Sequence, residues 1–138
     1  SVRPYQHVLE PLAAYLLIAK EQFCAPEKAG AYNVGPSMED CLTTGALADL
    51  FCRFWGDGSR WTSTLDGGPH EAARLTLDCT KIAEELNWVP RWSANTAVEK
   101  TVEWTKAVLA GQEAGAVTRG QIKDYFDARP ALQEQQYG

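Results

Sequence analysis

The sequence predicts a helix-rich α+β domain with short strands, or a piece of an α/β one. Three observations point there. Apolar residues recur at helical spacing in several separate segments. The segments rich in β-branched or aromatic residues, or alternating, are only a few residues long. Glycine, proline and capping signatures divide the two kinds. At 138 residues the chain can enclose one core and is too short for two.

Arg3 to Val8 reads as a strand or extended lead-in. Pro11 suits the first turn of the helix that follows, where its missing N–H would have had no partner. Leu12, Tyr15, Leu16, Ala19 and Phe23 form one apolar stripe. Ala13, Leu17 and Ile18 widen it, so this helix is expected to be buried on more than one side. Pro26 to Gly30 breaks the pattern, and Ala31 to Val34 is a short strand candidate closed by Gly35-Pro36. After a polar loop, Leu47, Leu50, Phe51, Phe54 and Trp55 define a helix over Thr44 to Trp55. Gly56-Asp57-Gly58 stops it.

Trp61 to Leu65 is a weak strand, and Asp66-Gly67-Gly68-Pro69 is a loop. Leu75 and Leu77 alternate with Arg74, Thr76 and Asp78 as a short half-buried strand. Asp78 or Thr80 caps a helix over Lys81 to Leu86. Asn87 to Trp92 is an extended connector. Thr96 with Glu99 has capping-box spacing and opens a helix over Ala97 to Ala110, ended by Gly111. Thr118 with Gln121 repeats that signature before the small apolar face of Ile122, Tyr125 and Phe126. The domain therefore covers residues 1–128, and 129–138 reads as a polar, frayed tail.

Composition removes several function classes. Apolar residues at 45% and charged residues at 22% are ordinary for a soluble globular protein. A net charge of −5 disfavours nonspecific nucleic-acid binding, which needs basic clusters on phosphates. It leaves room for a local basic pocket around a nucleotide diphosphate. No apolar run is long enough to span a bilayer, so no membrane partner is expected. Cys24, Cys41, Cys52 and Cys79 are dispersed, with no C-x-x-C and only two histidines, so no metal site is expected. A chain with a sizeable core does not need disulfides, and a reduced, cytoplasmic setting follows as the expectation. The chain opens on Ser1, which suits a truncated or processed product.

Few residues are candidates for chemistry. Arg3 offers a planar fork of donors to phosphate oxygens, or else is a solvated side chain near a terminus. His7 reads best as a half-buried histidine bonded to backbone, since no activated nucleophile stands beside it. In the loop from Asp66 to Glu71, glycines permit close backbone approach to a ligand, while His70 and Glu71 add polar groups. An ordinary turn is the competing reading. Trp88 and Trp92 flank Pro90-Arg91 and are read as packing residues, as is Trp104. Glu84-Glu85 and Asp124 with Asp127 read as solvated helix faces. No glycine trio has the spacing that cradles a pyrophosphate, and no tyrosine has a lysine four residues on. Catalytic and cofactor-binding residues are therefore assigned to none.

The run Arg3-Pro4-Tyr5-Gln6-His7-Val8, the A-Y-N-V-G-P run at Ala31 to Pro36 and the F-W-G-D-G run at Phe54 to Gly58 stand in a recognisable order. His70-Glu71-Ala72, Leu77 to Lys81, W-x-P-x-W at Trp88 to Trp92, and Glu99 to Trp104 continue it. Together they resemble the C-terminal, substrate-binding part of extended short-chain dehydrogenase/reductases, most closely the CDP-glucose 4,6-dehydratases. The resemblance implies an NAD(P)-binding, Rossmann-like α/β parent whose N-terminal Rossmann domain is absent here. It implies a parent that uses NAD to convert CDP-glucose to CDP-4-keto-6-deoxyglucose, with hydride leaving C4, water lost across C5 and C6, and hydride returning to C6. It assigns substrate binding to Arg3, Tyr5, Gln6, His70, Glu71 and Arg74. Related enzymes place a second arginine where this chain has Gly68, and His70 or Arg74 stands in for it. The implied partners are a nucleotide sugar and the missing Rossmann domain, within a homo-oligomeric parent, and the chain alone is expected to hold no NAD. A sibling enzyme using another nucleotide, or an interaction module derived from one, are the alternatives.

Overall fold

A computed structural model describes residues 1–64 and 73–128. Strand β1 (Val2–Arg3) leads into helix α1 (Leu9–Cys24). Strand β2 (Leu42–Thr43) runs straight into α2 (Thr44–Trp55). Helices α3 (Thr80–Leu86), α4 (Ala94–Leu109) and α5 (Ala114–Asp127) complete the described order. The helix-rich α+β expectation holds.

The sheet is a ribbon of two residues per strand. β1 and β2 are antiparallel, Val2 opposite Thr43 and Arg3 opposite Leu42. The other edge of β1 takes the chain that follows the 65–72 segment: Val2 N–H donates to Ala73 O at 2.9 Å and Leu75 N–H to Val2 O at 3.0 Å. That makes one parallel bridge, Val2 to Arg74, in place of the expected strand. A ribbon this small does not stand alone; the helices support it. α2 packs on α4, α4 on α5, and α1 on α3.

Two packed groups form the core. Ala14, Ile82, Leu86 and Trp88 gather where α1 meets α3, with Leu17, Ile18, Tyr32 and Val34 against them. Val98, Val102, Trp92 and Tyr125 are buried on the α4–α5 side. Trp92 stands edge-on between His7 (centroids 4.9 Å apart) and Tyr125 (5.2 Å). Trp88 and Trp92 thus pack into the core, as expected.

Glu10 joins these groups, and its role was not foreseen. Its side chain has no solvent exposure. Oε1 accepts the backbone N–H groups of Arg91 (2.9 Å) and Trp92 (2.7 Å). Oε2 accepts the Tyr125 hydroxyl at 2.8 Å. One carboxylate therefore ties α1, the connector before α4, and α5. Burial raises its pKa; the three donors and the nearby Arg91 charge oppose that rise.

Several expectations need correcting. The stripe Leu12, Tyr15, Leu16, Ala19 and Phe23 is the outward side of α1, with Phe23 89% exposed and Leu16 70% exposed. The side facing the domain carries Glu10 and Ala14 instead. Residues 31–34 form no strand with the described residues; Lys81 Nζ donates to Ala31 O and Gln6 Nε2 to Val34 O. Residues 61–64 are irregular as well. β2 occupies the end of the polar loop, where no strand was expected.

Helices α4 and α5 begin about a turn earlier than expected. Ser93 caps α4 by accepting Thr96 N–H at 3.3 Å, so Thr96 lies inside the helix. Glu113 caps α5 by accepting the Gly115 and Ala116 N–H groups. Thr118 lies in α5 and donates back to Ala114 O. Leu65, the loop at 66–71 and the tail at 129–138 lie outside the described residues.

Candidate functional site

Leaving β1, the chain carries Tyr5, Gln6 and His7 along one side of a cleft of about 450 Å³. Helix α2 supplies Thr44, Leu47 and Phe51, and α4 supplies Ala97, Val98 and Thr101. Trp61 completes the wall. Helical spacing aims these residues at one another: positions 44, 47, 48 and 51 share a face of α2, as 94, 97, 98 and 101 share a face of α4. The lining is apolar with a few polar groups, which is how small-molecule sites are built.

The polar groups are held in place. Tyr5 and Thr44 share a hydroxyl–hydroxyl hydrogen bond at 3.1 Å. Trp61 Nε1–H donates to Asp49 on the first half of α2 at 2.8 Å, fixing the indole plane. Thr43 caps α2 by accepting Ala46 N–H, so the helix end beside Thr44 is firm. Gln6 Nε2 donates to Val34 O at 3.2 Å, while Gln6 Oε1 is buried with no partner among the described residues. Flipping the amide would press Oε1 against a carbonyl, so this orientation stands. An unpaired buried acceptor is costly and asks for a donor.

His7 borders the same cleft. Its Nδ1 accepts the Leu9 N–H at 3.2 Å, so the neutral ring carries its proton on Nε2. Burial lowers its pKa, favouring that neutral form. This agrees with the reading of His7 as a backbone-bonded histidine. On the far side of Gln6 and His7 lies a second hollow of about 440 Å³, walled by Leu9, Thr101, Trp104 and Gln121.

A larger hollow, about 760 Å³, lies elsewhere among the described residues, between residues 35–40, 76–80 and 88–90. Glu39, Asp40 and Asp78 line it. Those carboxylates repel a diphosphate, and Asp40 is already used by Ala94 N–H and the Ser37 hydroxyl. Size alone therefore does not select the site for an anionic ligand.

Of the sequence-derived site residues, Tyr5 and Gln6 come together in the cleft. Arg74 is held beside β1 by the bridge to Val2. Since strand residues alternate, Arg3 and Arg74 fall on opposite faces of the ribbon, so the backbone does not converge them. Arg3 Nη1 donates to Val2 O at 3.0 Å. His70 and Glu71 lie outside the described residues. Thr44, Trp61 and Thr101 were missed. Trp61 has no periodic neighbours to mark it, and Thr44 and Thr101 become wall residues only when α2 meets α4.

A dinucleotide does not fit the described residues. The one sheet among them is an antiparallel pair of two-residue strands, with no parallel strand–turn–helix unit to present amides to a pyrophosphate. Among the described residues no helix is long and apolar enough to cross a membrane.

The fold and the cleft define a helix-rich α+β domain with a pre-shaped, mostly apolar hollow. Sequence comparison takes the assignment further. The chain is 36% identical over 129 residues, 93% of its length, to the CDP-glucose 4,6-dehydratase of Salmonella typhimurium. The expected resemblance is therefore shown: the chain is related to that dehydratase over nearly all its residues. It spans 36% of that protein's length. No family model matches the chain.

Proposed function

We propose that this chain is the nucleotide-sugar-binding portion of an NAD-dependent CDP-glucose 4,6-dehydratase of the extended short-chain dehydrogenase/reductase type. The observation that carries the reading is the match over 93% of the chain to a protein of that name. The match leaves only a few residues out, so it takes in almost all the elements that form the cleft.

In this reading the cleft walled by Tyr5, Phe51 and Trp61 takes part of the nucleotide sugar, and a ligand hydroxyl donates to Gln6 Oε1. Arg3 serves the diphosphate from the ribbon, and Arg74, His70 and Glu71 complete the proposed binding set. NAD supplies the hydride chemistry from the Rossmann domain of the longer protein, and this chain contributes binding and orientation only. The longer protein is cytoplasmic and homo-oligomeric.

The test is turnover of CDP-glucose with NAD by the full product of the native gene and by these 138 residues. The full product forms the 4-keto sugar, and the 138-residue chain forms none. Turnover by the short chain alone refutes the division of labour. A panel of CDP-, UDP-, GDP- and dTDP-sugars, read as thermal shifts on the full product, checks the nucleotide. A larger shift with any other nucleotide refutes the CDP assignment.

A further inference from the structure

Trp61 lines the cleft of about 450 Å³ and is 43% exposed. One edge of its ring fixes how it stands. Nε1–H donates to Asp49 Oδ1 at 2.8 Å. Cζ2 and Cη2, on that same edge, lie 3.4 Å from where a Cβ at Gly45 would be. Residues 45 and 49 are about one turn apart and share a side of α2. The indole therefore meets the helix edge-on, which leaves its broad faces clear of α2.

The other rings of the cleft are already engaged. Phe51 stacks on Trp55, centroids 5.5 Å apart and planes at 17°. Tyr5 is tied to Thr44 through its hydroxyl. Among the described residues no ring packs on Trp61. With its one N–H bonded to Asp49, the indole offers only its π faces. A flat heteroaromatic ring is what such a face holds best, as protein aromatics hold nucleobases.

A nucleotide sugar could bring either of two rings here, the base or the hexose. Tyr5 N–H donates to Arg3 O at 3.1 Å, a tight turn that keeps Arg3 next to the cleft wall. A diphosphate at Arg3 thus puts both ends of the substrate within reach of the cleft. The hexose is needed elsewhere, because its reacting carbons must meet NAD and the proton-moving groups of the Rossmann domain. The base takes no part in the reaction, and it is the ring left for Trp61.

We propose that Trp61 is the stacking platform for the cytosine ring of the substrate, and that Asp49 is the positioning residue that holds it. This deepens, and rests on, the reading of the chain as the nucleotide-sugar-binding portion of a longer dehydratase. A contact so far from the reacting atoms tightens binding in the ground and transition states alike, so it acts on KM and leaves kcat alone.

The test titrates CDP and CDP-glucose into the full product of the native gene by calorimetry. Trp61→Leu keeps an apolar side chain and removes the π face. It weakens both ligands about tenfold, raises KM in step and leaves kcat within about twofold. Trp61→Phe keeps a face and loses less than about threefold. Asp49→Ala, at an exposed position, frees the indole and weakens both ligands about threefold. Asp49→Asn keeps an acceptor for Nε1–H and restores binding to within about twofold of the parent. The Asp49 pair decides the matter if a melting curve shows Trp61→Leu to be unfolded. Unchanged CDP affinity in folded Trp61→Leu overturns the proposal, as does an Asp49→Ala protein that binds CDP as tightly as the parent. A loss confined to CDP-glucose also overturns it, because the hexose then lies on the indole. In each of these cases a parent that turns over CDP-glucose leaves the wider reading standing. A full product that binds neither ligand overturns both.

Discussion

Replacing Glu10 by alanine is expected to be among the most damaging single changes in this domain. The side chain is fully buried, and three donors depend on it: two backbone N–H groups and the Tyr125 hydroxyl. An abandoned buried donor costs about 1–3 kcal/mol. Three would cost up to about 9 kcal/mol if none found another partner, but water entering the vacated volume and rotation of the tyrosine hydroxyl recover part of that. The expected loss is about 3–5 kcal/mol, a large share of the 5–15 kcal/mol typical of a whole domain. For a domain of this size that is a fall of roughly 10–17 °C in Tm. Glu10→Gln separates the hydrogen bonds from the charge. Its oxygen still serves both backbone donors, its NH₂ donates to a Tyr125 hydroxyl turned to accept, and the desolvation of an anion disappears. The expected loss is about 1–2 kcal/mol. The pH dependence follows from the raised pKa. The folded state holds the Glu10 proton more tightly than the unfolded one. The stability linked to this group is therefore full below its ordinary value of 4.5 and is lost as pH rises through the folded pKa. Glu10→Gln removes that slope. Thermal melts by circular dichroism across pH give all three quantities. A Glu10→Ala variant melting within about 2 °C of the parent refutes the reasoning, as does a Glu10→Gln variant as unstable as the alanine one.

His7 titrates in the opposite sense. Its folded pKa lies below 6.5, so stability is lost as pH falls from 6.5 toward that value, and His7→Gln should flatten this limb of the melting profile. Ser93→Ala should cost about 1 kcal/mol and Thr96→Ala less, because Ser93 is the cap of α4; chemical denaturation of the two variants compares them directly.

Much of the fold was legible because local rules and tertiary packing agreed. Helix α2 has the expected bounds, with Gly56 at φ 75° to stop it. Helix α3 was read to within a residue, but its N-cap is Cys79 with no side-chain cap, not Asp78 or Thr80; Asp78 Oδ1 accepts the N–H of Thr80, the first helical residue. Where rules competed, the reading slipped. Ser93 and Thr96 are both good caps three residues apart, and the Glu99 that completed a capping box drew the start of α4 too far along the chain. The sequence 31–34 has strand-like composition, but no backbone among the described residues pairs with it, and side chains from Gln6 and Lys81 bond its carbonyls. Glu10 drew no reading from the sequence. Nothing local reveals that Arg91, Trp92 and Tyr125 converge on it from 81 or more positions away. The cleft was legible only through Tyr5 and Gln6, because its other walls arise from the contact of α2 with α4.

The error on α1 is the most instructive, because the periodicity was right and the conclusion drawn from it was not. A hydrophobic stripe reports which side of a helix leaves water; it does not report which polypeptide receives that side. In α1 the side chains of the stripe point away from the domain, while its packed side uses Glu10 and Ala14 with Leu17 and Ile18 beside them. Small residues there let the helix approach α3 closely, and the carboxylate fixes its register against the connector and α5. The His7–Trp92–Tyr125 ladder then carries that fixed register to the wall of the cleft. The same clamp orients the exposed stripe. Disturbing Glu10 should therefore move both the cleft wall and the outward side of α1, whereas Leu16→Glu should disturb the outward side alone. A Leu16→Glu variant that retains the hydrogen-exchange protection of the Trp92 amide would separate the two sides. Loss of that protection would show that the stripe and the clamp respond as one unit.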